Sequence, residues 1–186
     1  MPQVKNIEYV LDKIKKIIDI SPQETSVAMN LTVKENLEFF QSLYDVNDEE
    51  YFNLIVDSFS LREVLNKRAK TLSGGWQRRL SIAVSLISKP KIIFLDEPTA
   101  FLDFPSKVEM MQMLQGLAHD MGKTVFLSTH DLELALQIAD KLWLLDAENL
   151  VTGTPKELAK EGYLDHFFNI PGILFNKENL TYQIGK

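Results

Sequence analysis

Apolar residues recur along this chain in two rhythms, and the change between them falls near residue 89. Before it, the spacing is mostly helical. In VLDKIKKIIDI, Val10, Leu11, Ile14, Ile17 and Ile18 predict a short helix or turn feeding a strand at about 17–20, ended by Ser21-Pro22. Val33, Leu37 and Phe40 then share one helical face, and Thr32 with Glu35 forms a T-x-x-E capping box before them. A second helical stretch is expected from Asp48 through Phe59. A third is expected from Ser60, where Ser60 and Glu63 repeat the box. Trp76, Leu80, Ala83, Val84 and Ile87 mark the apolar face of the last one, so residues 31–88 read as a helical block.

After residue 89 the rhythm changes. KIIFLDEP is a short apolar run that ends in two acids and a proline, the pattern of a buried parallel strand with a functional tip. A helix from Pro105 to about His119 leads to a second such strand, TVFLS, and a helix from Asp131 to about Ala139 leads to a third, KLWLL. Strand–helix–strand–helix–strand predicts an α/β fold with a parallel sheet and crossover helices. Thr154, Pro155 and Glu157 open one more helix, and ILFNKENLTYQI reads as a hairpin. The expected organisation is one domain: an α/β core over about 1–30 and 89–170, an inserted helical subdomain over about 31–88, and a C-terminal hairpin over about 171–186.

Composition narrows the class. A compact chain of 186 residues can bury ~70% of its unfolded surface and needs no staples. A net charge of −6 speaks against a general nucleic-acid binder. The absence of cysteine excludes a disulfide framework and a thiolate metal site. MPQVKN leads into a charged segment, and no apolar run approaches the ~18 residues of a membrane span. A soluble, cytoplasmic protein is expected.

The candidate chemistry sits where strands end. Open parallel sheets bind ligands beyond the carboxyl ends of their strands, and two strands here end in Asp96-Glu97 and His130. A strand-end Asp can hold Mg²⁺, the Glu beside it can polarise an attacking water, and a His on a neighbouring strand can contact a transferred phosphoryl group. Taken singly, Asp-Glu-Pro is equally a polar turn. TLSGGWQRRLSIA holds the one adjacent glycine pair: Ser73 can cap the helix that follows, and Gly74 and Gly75 let a phosphate approach its bare N–H groups. Alone, Ser-Gly-Gly is also a tight turn. Their order along one chain is the specific signal.

In that order the sequence resembles the nucleotide-binding domain of an ABC-type ATPase over nearly its whole length. LSGGW matches the family signature, IIFLDEP the Walker B strand, Phe101-Leu102-Asp103 the D-loop and Ser128-Thr129-His130-Asp131 the switch histidine. SPQETSVAMNLTVKENLEF resembles the Q-loop region, with Gln23 as its glutamine. The resemblance implies a P-loop NTPase core with an inserted helical subdomain. It implies Glu97 as catalytic base, His130 on the γ-phosphate, Gln23 as its sensor, and Asp96 with Gln23 organising Mg²⁺. Ser73, Gly74 and Gly75, with Trp76 and Gln77 after them, would bind ATP held by an opposite subunit, with Asp103 beside that subunit. The implied cofactors are ATP and Mg²⁺. The implied partners are a second ABC ATPase subunit in a head-to-tail dimer and transmembrane permease subunits, not nucleic acid. The implied location is cytoplasmic, at the inner face of the membrane. Trp76 stands where glutamine is commonest and Phe101 where a small residue is usual.

One family element has no match. Only 22 residues precede Gln23, and they contain no glycine. Gly116 and Gly122-Lys123-Thr124 leave five residues between the glycines, where G-x-x-x-x-G-K-[ST] requires four. The triplet also ends a helix and opens a strand, so Gly122 reads as a helix C-cap. The chain thus resembles an ABC ATPase without its N-terminal part. In the family the lost strand lies between the switch-histidine strand and the one matching KLWLL. Its loss is expected to leave an unpaired edge and an exposed apolar slot, and a destabilised or self-associating chain. Two functions remain: the ATP-hydrolysing subunit of an ABC transporter, or a non-hydrolysing binding and assembly module that presents the signature to a partner's ATP.

Further residues carry smaller expectations. Phe39, Phe40 and Tyr44 are expected to pack within the helical block, with a coupling contact to a membrane partner as the alternative. Met110, Met111 and Met113 are expected to fill core. Lys67, Arg68, Lys70, Arg78 and Arg79 are expected to form a solvated face, with one or two steering phosphates.

Overall fold

The structure, a computed structural model, describes residues 10, 11, 13–145, 148–167 and 173–184. MPQVKN and residues 171, 172, 185 and 186 of the expected hairpin lie outside them. The chain divides into two compact units, residues 1–129 and 130–186.

The first unit is α/β. Three parallel strands, β1 (Ile18–Ser21), β2 (Ile92–Asp96) and β3 (Thr124–Ser128), pair in the order β1-β2-β3, with Ser21 opposite Leu95 and Asp96 opposite Ser128. Between β1 and β2 run helices α1 (Val33–Leu43), α2 (Glu49–Ser58) and α3 (Gly74–Leu86), with 3₁₀ turns at Leu61–Val64 and Ala69–Thr71. Helix α4 (Phe104–His119) joins β2 to β3. Strands taken in sequence order with right-handed crossovers carry their connecting helices on one face. Accordingly α3 packs on β1 and β2, and α4 packs on β3. Ile93 and Leu95 are buried, and Leu37, Ile55, Phe59, Leu61 and Leu80 form the core of the helical block.

The same topology corrects the expectation that KIIFLDEP and TVFLS are buried strands. Ile20, Phe94 and Phe126 lie side by side across the sheet, turned away from Ile93 and Leu95. Ile20 is 62% exposed and Phe94 39% exposed, and the Phe94 and Phe126 rings stack at 5.2 Å. Parallel sheets bury both faces when crossovers fall on both sides. Here both crossovers fall on one side, and among the described residues β3 has no strand on its outer edge.

Local signals account for most helix starts. The Thr32 Oγ1 accepts the Glu35 N–H (3.1 Å) and the Glu35 carboxylate accepts the Thr32 N–H (2.7 Å), completing the capping box of α1. The box expected at Ser60 does not form. Ser60 adopts a left-handed conformation (φ 55°) just past α2, its N–H donating to the Asp57 carbonyl, so it terminates one helix instead of capping the next. Phe39 and Tyr44 are exposed at the end of α1, against the expected packing, while Phe40 is half-buried between them. Helix α1 is also held by buried Asn36, which bonds three main-chain groups of the preceding segment. Met110 and Met111 are buried, as core filling requires.

The second unit holds helix α5 (Leu132–Ile138), the antiparallel pair β4 (Leu142–Leu145) and β5 (Leu150–Gly153), helices α6 (Pro155–Lys160) and α7 (Tyr163–Phe167), and the pair β6 (Ile173–Asn176) and β7 (Thr181–Ile184). Leu136, Leu144, Leu158, Ala159 and Leu164 form its core. KLWLL is therefore not a third parallel strand. The few residues between Leu145 and Leu150 permit a hairpin, whereas a parallel crossover needs about a dozen.

Candidate functional site

The carboxyl ends of β1 and β2 converge on side chains from β3 and α3. Asp96 ends β2, and its Oδ1 accepts the Ser128 hydroxyl at 2.7 Å. The same Ser128 Oγ accepts the Glu97 N–H at 3.2 Å. Ser128 thus fixes the Asp-Glu tip from the neighbouring strand, where register places it directly opposite Asp96. Glu97 turns the chain sharply, with φ 44° in the left-handed region. Non-glycine residues held there cost about 1–3 kcal/mol, and such strain gathers at functional sites.

Gln23 lies in the loop after β1. Its carbonyl and that of Pro22 accept from the Arg78 Nη1, while Nη2 donates to the Asp96 carbonyl at 2.7 Å. Arg78 is only 5% exposed. This corrects the expectation of a solvated basic face: Lys67, Arg68 and Lys70 are exposed, but Arg78 is buried and joins the Gln23 loop to the Asp96 tip. Burial pulls the pKa of its guanidinium down, and the Asp96 charge opposes that shift. Ser128 and Arg78 were not singled out from the sequence as site residues. A hydroxyl just before Thr129-His130 and the doubled arginine after the glycines were the available signals.

Helix α3 begins at Ser73, whose extended backbone occupies the cap position. Its side chain makes no capping bond to the helix, contrary to the expected cap. The first N–H groups of α3 therefore lack a side-chain acceptor, and the Cβ position of Gly74 faces open space. At Gly75 an added Cβ would meet Leu102 at 3.6 Å, which seats the signature glycines against the loop after Glu97. The Gln77 side-chain amide donates backward to the Ala69 (3.1 Å) and Leu72 (3.2 Å) carbonyls. Trp76 is covered by the Arg79 guanidinium at 4.7 Å, and Arg79 pairs with Glu109. Phe101 is 96% exposed with φ 61°. Asp103 caps α4: the hydroxyl and N–H of Ser106 hold its carboxyl below the ordinary Asp value.

His130 opens the second unit and is exposed, and its carbonyl accepts the Leu132 N–H at 3.0 Å. The C-cap of α4 is Asp120, not Gly122 as expected; Gly122 follows two residues later with φ 61°, and Lys123 donates to the Pro90 carbonyl at 2.7 Å. That lysine therefore sits at the amino ends of the strands, away from Asp96. Among the described residues no three His, Asp or Glu side chains gather as a metal cage. Mg²⁺ usually takes one or two carboxylates plus phosphate oxygens and water, and Asp96 supplies one carboxylate at the strand tip. The uncapped start of α3 fits a phosphate.

These features define an α/β protein with an acidic strand tip and a glycine-led helix start without a side-chain cap. The sequence model of the ABC transporter family matches residues 3–100, just over half of the chain. The chain is 32% identical over 157 residues to the maltose/maltodextrin import ATP-binding protein MalK of Yersinia pestis, covering 77% of this chain and 42% of MalK. It is 32% identical over 159 residues to the energy-coupling factor transporter ATP-binding protein EcfA2 of Lacticaseibacillus paracasei, covering 83% of this chain and 54% of EcfA2. Its fold matches that of CbiO1 from Clostridium perfringens, part of the CbiONQ ABC transporter complex, with TM-score 0.71 and 24% identity over 87% of this chain and 66% of CbiO1. The chain belongs to the ABC transporter family, among its ATP-binding proteins, and spans about half the length of the curated relatives it matches.

Proposed function

We propose that this chain is an ATP-binding, ATP-hydrolysing subunit of an ABC transporter, acting at the inner, cytoplasmic face of a membrane. Its partners are a second ABC subunit arranged head to tail and transmembrane permease subunits. The observation that carries the reading is the tip of β2, where Asp96 and Glu97 are held by Ser128 and tied through Arg78 to the Gln23 loop. Asp96 and Gln23 would hold Mg²⁺, which when bound neutralises phosphate charge. Glu97 takes the proton of the attacking water, His130 contacts the γ-phosphate, and Ser73, Gly74 and Gly75 bind phosphates presented by the opposite subunit. The exposed Phe39, Leu43 and Tyr44 on α1 offer an apolar contact for a permease.

A second reading is favoured by one observation. The lysine of the single Gly-Lys-Thr triplet in this sequence is committed to the Pro90 carbonyl, so that triplet does not serve the acidic tip. In this reading the chain is a non-hydrolysing module that presents its signature to a partner's ATP. The two separate by turnover of Mg-ATP in a complex with an ABC subunit that carries a G-x-x-x-x-G-K-[ST] motif. Glu97→Gln is expected to slow turnover by about 10²–10⁴-fold if Glu97 is a base. Turnover that survives Glu97→Gln and is lost in Gly74→Asp assigns the presenting role.

A further inference from the structure

We propose that Arg78 is a positioning residue: it mounts the Gln23 loop and the Asp96 tip on helix α3, so that both follow the signature helix as one body. The inference rests on the reading above only for what those two loops hold.

The argument begins with where the acceptors lie. Pro22 and Gln23 follow the last residue of β1, and Asp96 is the last residue of β2. Carbonyls at such ends leave the ladder and need other partners. One guanidinium supplies them for two segments more than seventy residues apart in sequence, Nη1 to the Pro22 and Gln23 carbonyls and Nη2 to the Asp96 carbonyl. Its planar fork of donors spans two acceptor groups at once, whereas a lysine ammonium is a single point. The neighbouring Arg79, its side chain 12% exposed, pairs with Glu109 instead, so the paired arginines hold different partners.

Burial of this charge is not explained by packing. A buried cation is costly unless well compensated, and removing its partners does not follow the cost of an apolar side chain. The Nε of Arg78 is buried with no partner among the described residues. An unmatched buried donor calls for an explanation. Arg78 lies five residues into a helix whose first turn is the uncapped Ser73–Gly75 segment, about 7.5 Å along the axis. A shift of α3 caused by an anion at its start is therefore delivered to both loops by Arg78, with the Ser26 N–H to Ser81 Oγ bond (3.4 Å) as a second tie to the Gln23 loop. On the far side of Asp96, Ser128 holds the side chain and leaves the carbonyl to Arg78.

The test is amide hydrogen exchange of the full chain without nucleotide, comparing the parent with Arg78→Met and Arg78→Lys. Methionine keeps length and apolar stem but loses every donor. Arg78→Met is expected to speed exchange by about tenfold or more at both residues 23–26 and 97–100, with the Asn36 and Phe94 amides unchanged. Arg78→Lys is expected to restore one segment and not the other. The proposal is overturned if Arg78→Met leaves either segment within about twofold of the parent, or speeds exchange equally throughout residues 1–129. It is also overturned if Arg78→Lys matches the parent in both segments. Should Arg78→Met fail to fold, the lysine variant decides alone, by loss at one segment or at neither. Failure here leaves the hydrolytic reading standing, because no nucleotide is present, and failure of Glu97→Gln to slow turnover leaves the mount standing.

Discussion

Replacing Asn36 tests how the segment that follows the Gln23 loop is held. Asn36 is fully buried on α1. Its Oδ1 accepts the Ala28 N–H at 2.8 Å, and its Nδ2 donates to the Ala28 carbonyl (3.1 Å) and the Thr32 carbonyl (2.9 Å). Asn36→Leu keeps the volume and removes all three bonds, each worth about 0.5–1.5 kcal/mol net. Two acceptors keep another partner: the Ala28 carbonyl retains the Leu31 N–H and the Thr32 carbonyl retains the Asn36 N–H. Only the Ala28 N–H is orphaned, on an exposed residue that water can reach. The upper end of the range is thus excluded, and the expected loss is about 2 kcal/mol. Asn36→Asp keeps the acceptor but sets a buried negative charge against two carbonyls, so it is expected to cost more than Asn36→Leu. Urea unfolding followed by tryptophan fluorescence measures both. A Trp143→Phe background makes Trp76 the reporter of residues 1–129. A leucine variant within about 0.5 kcal/mol of its parent, or an aspartate variant no worse than leucine, would refute this account.

The remaining outcomes concern the open face and pH. Ile20 and Phe94 present apolar surface across the sheet, so sedimentation of the chain is expected to show mass rising with concentration, and Ile20→Lys to suppress it. A parent that stays monomeric throughout would remove that role for the face. Burial raises the pKa of Asp19, against the lowering effect of the Ile20 N–H and the Ser88 hydroxyl. The folded chain then binds this proton more tightly than the unfolded chain does. Its contribution to stability is full below the ordinary value of 3.8 and is lost as pH rises through the raised value. The stability of the parent relative to Asp19→Asn is therefore expected to fall with rising pH in that window, and a flat or rising difference contradicts it.

Features set by a few neighbouring residues were legible in the sequence. The Thr32–Glu35 box, the strand at IIFLD and the left-handed turn at Gly122 just past α4 each depend on local geometry, and each is present. Ser60 shows how narrow that legibility is. Its box pattern is intact, but the end of α2 claims it first as a left-handed terminator. The one-sided sheet was hidden because IIFLD reads the same whether one face or both are covered. That depends on strand order, which the apolar run does not encode. Arg78 was hidden for a related reason: nothing local distinguishes it from Arg79, and its acceptors lie at Pro22, Gln23 and Asp96.

The open face and the acidic tip are continuous. Side chains alternate along a strand, so Asp96 and Phe94 share a face of β2, and Ser128 and Phe126 share the matching face of β3. The stacked phenylalanines thus lead directly into the pair that holds the Asp-Glu tip. Water over Phe94 and Phe126 costs hydrophobic free energy, and water over Asp96 and Ser128 weakens the electrostatics on which phosphoryl chemistry depends. Anything that dries the first must stop beside the second. The helix-covered face has no such conflict, because there Ile93 and Leu95 are already buried and Arg78 reaches the Asp96 carbonyl from α3. Stability and chemistry therefore press on the same side of the sheet from opposite directions. Arg78 lets the signature helix act on that side from behind, through the Asp96 carbonyl.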